Sequence, residues 1–479
     1  MNSMSGMGNE ISVKRMTRRM FVSAVGSAAA GCVVSKFPPL GASRWYKGML
    51  HSHTLWSDGY VLPEQAVKVY KDAGYDFLSI TDHNRIGKEN DRWLKVSSYN
   101  GKWRWPPKTV DTGVFAAFRR DFPELKWRVR NGETEVRLSP VSEVYARFNE
   151  AERFLCLPGC EVTVKVIMDD GICRDVHMNY IGLDSLVPCV RGKGLVSSVD
   201  GTTVKRMIRE TKTQVDALVG DKGGRTNIFF VNHPHYRFCD VLPEDVADNS
   251  DVRFFEVCNN GSSFAPVAPL PSDGFYMDRF WDAVNAVRCL RGEPLLYAVA
   301  TDDTHSYPGC GMSNAAFTFG DGWIGVKAER LSQDALFAAM HRGDFYAASG
   351  VDFEDIEFDG RKGTLSVSVP AKAGVSYSVR FITTKRGADV EFRTVEISAE
   401  GRRPRRYVPV FSGSVGRTVK SESFAPGIPV RSSYTLAPDD LYVRARVESD
   451  EPAVYSRPNR MHPTVKTAWT QPFRFSTSF

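Results

Sequence analysis

The chain has 479 residues, of which 42% are hydrophobic and 25% are charged. This composition is typical of a globular protein, and the length suggests two or three domains. The formal net charge is only +6, and Lys14, Arg15, Arg18 and Arg19 outweigh Glu10 by +3 near the N-terminus. The rest of the chain is nearly balanced and has no dense Lys/Arg cluster, which argues against a nucleic-acid polymer as a partner.

The N-terminal segment has the pattern of an export signal. Two adjacent arginines, Arg18 and Arg19, precede the apolar, small-residue run SAVGSAAAGCVV. A charged segment followed by such a run predicts a signal peptide, which together with a linker covers residues 1–43. The arginine pair with Phe21 favours the twin-arginine type, and an ordinary Sec signal is the alternative.

The last residues of this apolar run also indicate a candidate lipid anchor and hence a cellular location. Ala29-Ala30-Gly31-Cys32 resembles a lipobox and makes Cys32 a candidate lipid anchor, although Leu is usual at the position of Ala29. No later segment reaches the roughly 18 apolar residues of a membrane span, so no transmembrane helix is expected in the mature chain. We expect an exported bacterial protein of the periplasm or cell surface, with or without a lipid at Cys32.

Short apolar runs then alternate with helical patterns. Pro63 and Glu64 begin a helix that Gly74 ends, and residues 76–81 form a buried strand. Further strands are predicted at residues 154–160, 176–183, 228–232, 254–258 and 295–300, with helices at 203–219 and 278–291 among them. This strand-then-helix order predicts an α/β fold built on a parallel sheet or barrel.

Two regions depart from this alternation. Residues at about 85–154 are rich in charge and tryptophan and have little periodicity, which predicts an insertion over the rim of the barrel. From residue 352 to 479, segments such as GTLSVSV and VSYSVRFIT alternate apolar and polar residues between turn signals. That pattern predicts a small C-terminal β-sandwich.

Histidines and acids follow most of the predicted strands. The residues of these two types at such positions are His51, His53, Asp58, Asp82, His83, Glu161, His233, His235, Asp302, Asp303 and His305, and His177 lies within a predicted strand. In a barrel the carboxyl ends of the strands open onto one shared mouth, so these side chains should converge. His51 and His53 are two residues apart on an extended strand and can therefore reach the same ion.

The residue types indicate which ions such a site prefers. Imidazole with carboxylate suits zinc, manganese or iron and argues against calcium. There are more donors than one tetrahedral ion needs, so two or three divalent ions are expected. Asp82 and Asp302 should point away from the ions and orient neighbouring groups instead. Glu256 and Asn259, after the sixth predicted strand, are candidates for a supporting role behind the ligands.

The motifs HSHTLWSDG, SITDHN, PGCEVT, DVHMNYIGL, VNHPHY and ATDDTHS occur in this order. Together they resemble the PHP (polymerase and histidinol phosphatase) superfamily. The resemblance implies a distorted (β/α)7 barrel over residues 44–351, followed by the predicted sandwich. The segments GWIGVKAERLS, HRGDFYAASG and AWTQPF resemble a secreted metallohydrolase branch that includes carbamate-ester hydrolases.

The resemblance also implies which residues hold which ion. The implied ligands are His51, His53, Asp58, His83, Glu161, His177, His233, Asp303 and His305. One ion would be held by His51, His53, Glu161 and Asp303. A second would be held by His177 and His233 with Glu161 as the bridge, and a third by Asp58, His83 and His305.

These residues favour an exported metal-dependent hydrolase, and a phosphoesterase above other kinds. A hydroxide that bridges two divalent ions is a nucleophile at neutral pH, and Asp303 beside it could move its proton. The motif GxSxG is absent, so no serine nucleophile is indicated. The expected substrate is a small phosphorylated ester, monoester or diester, with His235 and Asn84 as candidate substrate contacts.

Two other functions remain open from the sequence. The same metal site could hydrolyse a carboxyl or carbamate ester, with one ion acting on the carbonyl oxygen. Alternatively, the protein could be a surface binding protein whose metals are structural and whose sandwich attaches to a carbohydrate or another protein.

Overall fold

The computed structural model describes residues 43–98, 109–168, 172–187, 203–220, 226–259, 276–311, 319–397, 406–453 and 464–475. The predicted export signal, Cys32 and the WRWPP stretch of the insertion lie outside these residues. Of Arg237, Phe238, Arg406 and Tyr407, the backbone alone is described. Within the described part, no helix is both long enough and apolar enough to span a membrane.

The fold is a mixed α/β arrangement with one large sheet and few helices. In its first part the strands are β1 (Arg44–Met49), β2 (Phe77–Ile80), β3 (Trp93–Ser97), β4 (Thr109–Asp111), β5 (Trp127–Arg130), β6 (Glu133–Arg137), β7 (Leu155–Ile167), β8 (Cys173–Ile181), β9 (Ile228–Val231), β10 (Phe254–Asn259), β11 (Tyr297–Thr301), β12 (Trp323–Ala328) and β13 (Phe345–Ser349). The helices are α1 (Pro63–Asp72), α2 (Thr112–Asp121), α3 (Val141–Phe148), α4 (Val204–Val219), α5 (Tyr236–Cys239), α6 (Pro243–Ala247), α7 (Tyr276–Leu290) and α8 (Gln333–Arg342).

The C-terminal part consists of strands. They are β14 (Asp355–Asp359), β15 (Thr364–Val369), β16 (Tyr377–Thr383), β17 (Arg393–Ile397), β18 (Arg406–Val410), β19 (Arg417–Phe424), β20 (Val430–Thr435), β21 (Arg444–Pro452) and β22 (Val465–Thr470). The predicted elements therefore lie close to observed ones, as α1 shows. Its first residue is Pro63, its buried face includes Ala66, Val67 and Tyr70, and Gly74 follows it with a φ of +82°.

Thirteen strands share one sheet, in the order β11-β10-β9-β8-β7-β2-β1-β12-β13-β22-β21-β16-β19. The pairs β1–β2, β2–β7, β9–β10 and β10–β11 are parallel. β8, however, runs antiparallel to both β7 and β9, so the prediction of uniformly parallel neighbours is wrong here. β7 and β8 form a long hairpin, and His177 therefore reaches the site from within a strand and not from its carboxyl end.

The sheet curls, so that strands distant in its order come together. Ser52, just after β1, forms a parallel bridge with Thr304, just after β11, although these strands are the two ends of a run of seven. The backbone N–H of His53 donates to the carbonyl of Thr304 at 2.9 Å. The residues that follow β1 and β11 are thereby held side by side, and these are the segments richest in histidine and aspartate.

The insertion forms a sheet of its own in the order β4-β3-β6-β5, accompanied by α2 and α3. It is attached to the main body near the site. Trp56 is buried and donates its indole N–H to the carbonyl of Ser139 at 3.1 Å, and Arg92 donates to the carbonyl of Trp56 at 3.0 Å. Buried Val110 and Val136 of this sheet belong to the same hydrophobic cluster as α1.

The C-terminal strands continue the main sheet across the predicted boundary at residue 352. β22 pairs with β13 on one side and with β21 on the other. A second sheet, β14-β15-β20, contributes Leu365 and Val367 to a hydrophobic cluster that also contains Val379 and Val447 of the main sheet. Residues 42–479 accordingly cluster into one compact unit.

Buried ion pairs join this region to α7. Arg444 of β21 is fully buried and donates to both carboxylate oxygens of Asp282, at 2.8 and 2.6 Å. Its third nitrogen lies 3.1 Å from Asp278, which also pairs with Arg446 and accepts from Trp469. Charges that are removed from water in this way are stable only while each keeps its partner.

Replacing Arg444 with Met should therefore destabilise the whole unit. The substitution leaves Asp282 buried without its cation, and breaking such a pair costs about 3–5 kcal/mol. We expect a clear drop in the urea midpoint of Arg444→Met. The matched control is Lys372→Met, which breaks the exposed pair with Glu451 and should cost less than about 1 kcal/mol. Equal midpoints for the two variants would contradict the role of this cluster.

Candidate metal centre

The loop HSHTLWSDG is held in a tight turn after β1. Asp82 is buried and accepts four hydrogen bonds from Thr54 and Ser57, two from each residue, at 2.6–3.1 Å. A Cβ on Gly59 would lie 2.5 Å from the backbone of His53, so only glycine allows this approach. As predicted for Asp82, its carboxylate orients the loop and does not face the histidines, and the turn brings Asp58 back towards His53.

At the floor of the site, two imidazole nitrogens lie about 3 Å from each other and from one oxygen of each of two carboxylates. Nε2 of His51 is 3.1 Å from Nε2 of His53, 3.2 Å from Oε2 of Glu161 and 3.3 Å from Oδ1 of Asp303. Nε2 of His53 is 3.1 Å from the same oxygen of Glu161 and 2.9 Å from that of Asp303. These are the four residues that the resemblance assigns to one ion.

A second group surrounds the other oxygen of Glu161. Oε1 lies 2.8 Å from Nδ1 of His177 and 3.8 Å from Nε2 of His233. The amide of Asn232 donates to this oxygen at 2.9 Å. Tyr236 lies beside both imidazoles, with ring centroids 5.3 Å from His177 and 4.9 Å from His233. Neither Asn232 nor Tyr236 was singled out from the sequence.

A third group forms around Asp58. Its Oδ2 lies 3.1 Å from Nε2 of His305 and 3.4 Å from Nε2 of His83, and its Oδ1 lies 3.5 Å from Nδ1 of His53. The ring of His53 stacks between those of His83 and His305, with centroids 4.6 and 4.2 Å away. The structure therefore brings all nine predicted ligands into one continuous cluster.

Buried neighbours determine how several of these side chains point. Thr163 Oγ1 lies 2.5 Å from Nδ1 of His83, which turns Nε2 of that ring towards Asp58. Asp302 is fully buried and accepts from the backbone N–H groups of Gly320, Asp321 and Gly322 at 2.7–2.9 Å. Asp302 thus organises a turn, in agreement with its predicted role, and does not join the cluster.

Three residues at the site have a left-handed backbone that side chains seldom adopt. Asn84 has a φ of +49°, His233 of +23° and Asp303 of +49°. Each lies shortly after the end of a strand of the main sheet. The backbone therefore turns sharply close to the predicted metal ligands. Such conformations cost about 1–3 kcal/mol each and persist only when the surrounding structure enforces them.

The two predicted substrate contacts differ in their surroundings. The side-chain amide of Asn84 makes two hydrogen bonds to the backbone of Thr163 in β7. Its NH2 group donates to the carbonyl of Thr163 at 3.1 Å, and its oxygen accepts from the N–H of Thr163 at 3.0 Å. Asn84 thereby continues the strand pairing and supports Thr163 beside His83. His235 is 2% exposed, so it lies below the surface and not on an open rim. Substrate binding by either residue stays a prediction.

The charges of the cluster shift its pKa values strongly. Burial alone would raise the pKa of Glu161, but the charges of His83, His51 and His177 hold it well below its usual range. Burial and His305 both act to lower the pKa of His53, yet its hydrogen bond to Asp303 and the charge of Asp58 raise it to about 9. The pKa of His305 rises to about 9 against burial, mainly through Asp58.

The donor set fits small divalent ions. For metal–ligand bonds of about 2.05 Å, tetrahedral ligand atoms lie about 3.3 Å apart. The Nε2 atoms of His51 and His53 lie at similar distances, 2.9–3.3 Å, from each other and from the two carboxylate oxygens. His53 Nδ1 is buried without a hydrogen-bond partner. Three overlapping groups of the described residues could each hold an ion: His51, His53 and Asp303; His83, Glu161 and His177; and His53, Asp58, His83 and His305.

No family model and no curated protein matches the sequence. Among solved structures, a two-domain protein from Bacteroides vulgatus, described as containing a predicted PHP-like metal-dependent phosphoesterase, aligns over 86% of this chain and 92% of its own. The identity is 15% and the TM-score 0.38. A protein from Bifidobacterium adolescentis, described as a candidate metal-dependent phosphoesterase, and an amidohydrolase from Chromobacterium violaceum each cover 56% of this chain and 90% of their own. Both have 13% identity, and the TM-scores are 0.28 and 0.29.

Membership of the PHP superfamily stays a prediction from the sequence motifs, because the structural likeness is distant. Independently of these structures, the described residues contain clustered histidines and acids that could hold metal ions. The finer resemblance to carbamate-ester hydrolases stays a prediction. The likeness in overall shape is distant, so the chemistry of this site has to be deduced from its own atoms.

Loading the site with metal at pH 7 should release protons. Without ions, His53 and His305 are protonated at this pH because both have pKa values raised to about 9, and His51 shifts in the same direction. Metal ions need the unprotonated nitrogen, so binding should expel at least about two protons and weaken as the pH falls.

Titration calorimetry with zinc in buffers of different ionisation enthalpy measures this number directly. We expect proton release to diminish as the pH rises through 9, because the histidines are by then already neutral. Release that is near zero at pH 7 would contradict the cluster as described.

Proposed function

We propose that this protein is a metal-dependent hydrolase that acts on phosphoesters. The observation that carries the proposal is that the Nε2 atoms of His51 and His53 lie 2.9–3.3 Å from each other and from one oxygen each of Glu161 and Asp303, beside two further donor groups. Divalent ions bound there would lower the pKa of a coordinated water and neutralise negative charge on substrate oxygens. The ions are zinc, manganese or iron, as the mixture of imidazole and carboxylate favours.

The number of donor groups suits a two-ion reaction at phosphorus, a geometry that two-ion carbonyl hydrolases share. An in-line displacement at phosphorus has an attacking and a leaving oxygen, and a pair of ions about 3.5–4 Å apart suits both. One ion suffices to polarise a carbonyl oxygen. A protein with a single-ion requirement would not need Glu161 to present one oxygen to His51 and His53 and the other to His177.

The chain's own residues supply the remaining functions. Asp303 has one oxygen beside His53 and the other 3.9 Å from His233, and we assign to it the transfer of a proton from the attacking water. His177 and His305, with side chains 10% and 12% exposed, mark the side from which substrate enters, since His51 and His53 are wholly buried. A small phosphorylated ester, monoester or diester, is the proposed substrate.

The seven strands from β11 to β1, which close through the Ser52–Thr304 bridge, form in this proposal the distorted (β/α)7 barrel of residues 44–351. The strands of residues 352–479 form a sandwich-like cover built onto it. Export to the periplasm or cell surface, through the signal in residues 1–43 and with or without a lipid on Cys32, belongs to the same proposal and depends on the sequence alone.

A matched panel of nitrophenyl substrates tests the reaction. It contains a phosphate monoester, a phosphate diester and a carboxyl ester, each supplied with manganese or zinc. We expect phosphoester turnover that chelator abolishes and that His51→Ala lowers by more than about 100-fold, because loss of a direct ligand exceeds the 10–100-fold effect of losing an outer partner.

The control variant is His341→Gln, in which the altered histidine bonds the carbonyl of Asn227 and belongs to none of the donor groups. It should keep activity close to that of the native protein. Turnover of the carboxyl ester alone would replace the phosphoester proposal with the ester alternative. Chelator-resistant turnover that survives His51→Ala would refute a metal-dependent mechanism altogether.

A further inference from the structure

Glu256 is a buried acid beside the cluster that is not among the predicted ligands. It lies on β10 and is 0% exposed. Removing a carboxylate from water is costly unless its oxygens are fully hydrogen-bonded. The hydrogen-bond partners of its two oxygens must therefore account for its buried position.

Both oxygens are occupied by hydrogen-bond donors. Oε1 lies 2.7 Å from Nδ1 of His51 and accepts from the hydroxyl of Thr301 at 2.7 Å. Oε2 accepts from the backbone N–H of His233 and from the amide of Asn259, each at 2.7 Å. An ionised carboxylate can only accept, so Nδ1 of His51 must carry a hydrogen. Because each oxygen already accepts two hydrogen bonds, Glu256 is not expected to bind a metal ion directly.

These contacts act on two predicted ligands from different parts of the sheet. With hydrogen on Nδ1, the lone pair of His51 is left on Nε2, the nitrogen that faces His53, Glu161 and Asp303. The second oxygen holds the backbone of His233, whose φ of +23° is unfavourable for a side-chain-bearing residue. One carboxylate thus sets both the imidazole of His51 and the backbone of His233.

We propose that Glu256 is a positioning residue of the metal centre, which selects the metal-binding nitrogen of His51 and anchors the backbone of His233. This inference rests on the proposed metal-dependent function. A histidine ligand whose other nitrogen donates to a carboxylate is oriented and made more basic, and loss of the carboxylate typically costs 10–100-fold in metal affinity.

Glu256→Gln is the direct test, because glutamine keeps the shape and removes the charge. Its NH2 group must face one pair of donors, either His51 and Thr301 or His233 and Asn259, where it cannot accept a hydrogen bond. We expect zinc affinity, measured by competition with a chelator, to fall by about 10–100-fold. Thr301→Val is the matched control: it removes another donor to the same oxygen but leaves His51 bonded, and should change zinc affinity by less than about 3-fold.

Histidine ¹⁵N NMR of the zinc-loaded native protein provides a readout that a purely structural role would not alter. We expect His51 to carry hydrogen on Nδ1 and zinc on Nε2, with the resonance assigned from its absence in His51→Gln. Zinc on Nδ1 would overturn the inference even if Glu256→Gln failed to fold. A folded Glu256→Gln protein with unchanged zinc affinity would also overturn it and leave the proposed function intact. If the native protein bound no zinc or manganese, both proposals would fall together.

Discussion

The carboxylate of Glu161 is the group on which the site depends. It is completely buried, yet its two oxygens lie within 3.2 Å of His51, His53, His83 and His177. Burial penalises its charge, and the pKa nevertheless lies well below the usual range because the surrounding imidazoles outweigh that penalty. The site is therefore stable only with positive charge around this residue. Protons on the histidines supply that charge in the absence of ions, and divalent ions are suited to replace them.

The rest of the fold positions the partners of Glu161 with little freedom. The nine predicted ligands come from the ends of β1, β2, β9 and β11 and from within β7 and β8, so six strands of the sheet carry them. Behind them, Asp82 and Glu256 accept hydrogen bonds from segments that carry ligands, and Asp302, next to Asp303, accepts from the turn at residues 320–322. Left-handed backbone at Asn84, His233 and Asp303 adds a cost of about 1–3 kcal/mol each. A rigid scaffold is needed to hold a constellation of this kind.

Much of this site was predictable from the sequence, for a physical reason. His51, His83, His233 and Asp303 follow buried strands directly, and the carboxyl ends of neighbouring parallel strands meet at one edge. Convergence could therefore be inferred without knowing the order of the strands. The antiparallel course of β8 was missed because apolar runs do not encode strand direction. The domain boundary at residue 352 stays a prediction. The main sheet runs across it, because β13 pairs with β22, more than a hundred residues away, and the sequence does not indicate such distant pairing.

Contacts made by single side chains across long separations were the least predictable. Glu256 meets His51 from 205 positions away, and nothing in the local pattern FFEVCNN indicates which histidine it will contact. Thr163 and Asn232 are similar, because a threonine and an asparagine near strand ends are common in any α/β protein. Thr163 and Asn232 become recognisable as supporting residues only when their hydrogen-bond partners in the structure are known.

The C-terminal strands make buried contacts with the strands and helices that carry the site. Gln471, just after β22, pairs its side-chain amide with the backbone of Ala298 in β11, donating at 2.9 Å and accepting at 2.8 Å. It thereby satisfies backbone groups on the edge strand that leads into Thr301 and Asp303. Arg444 and Arg446 hold α7, the helix that precedes β11, through Asp282 and Asp278. The ligand segment after β11 can be no better ordered than the strand that carries it, so these contacts of the described C-terminal residues support the segment that contains Asp303.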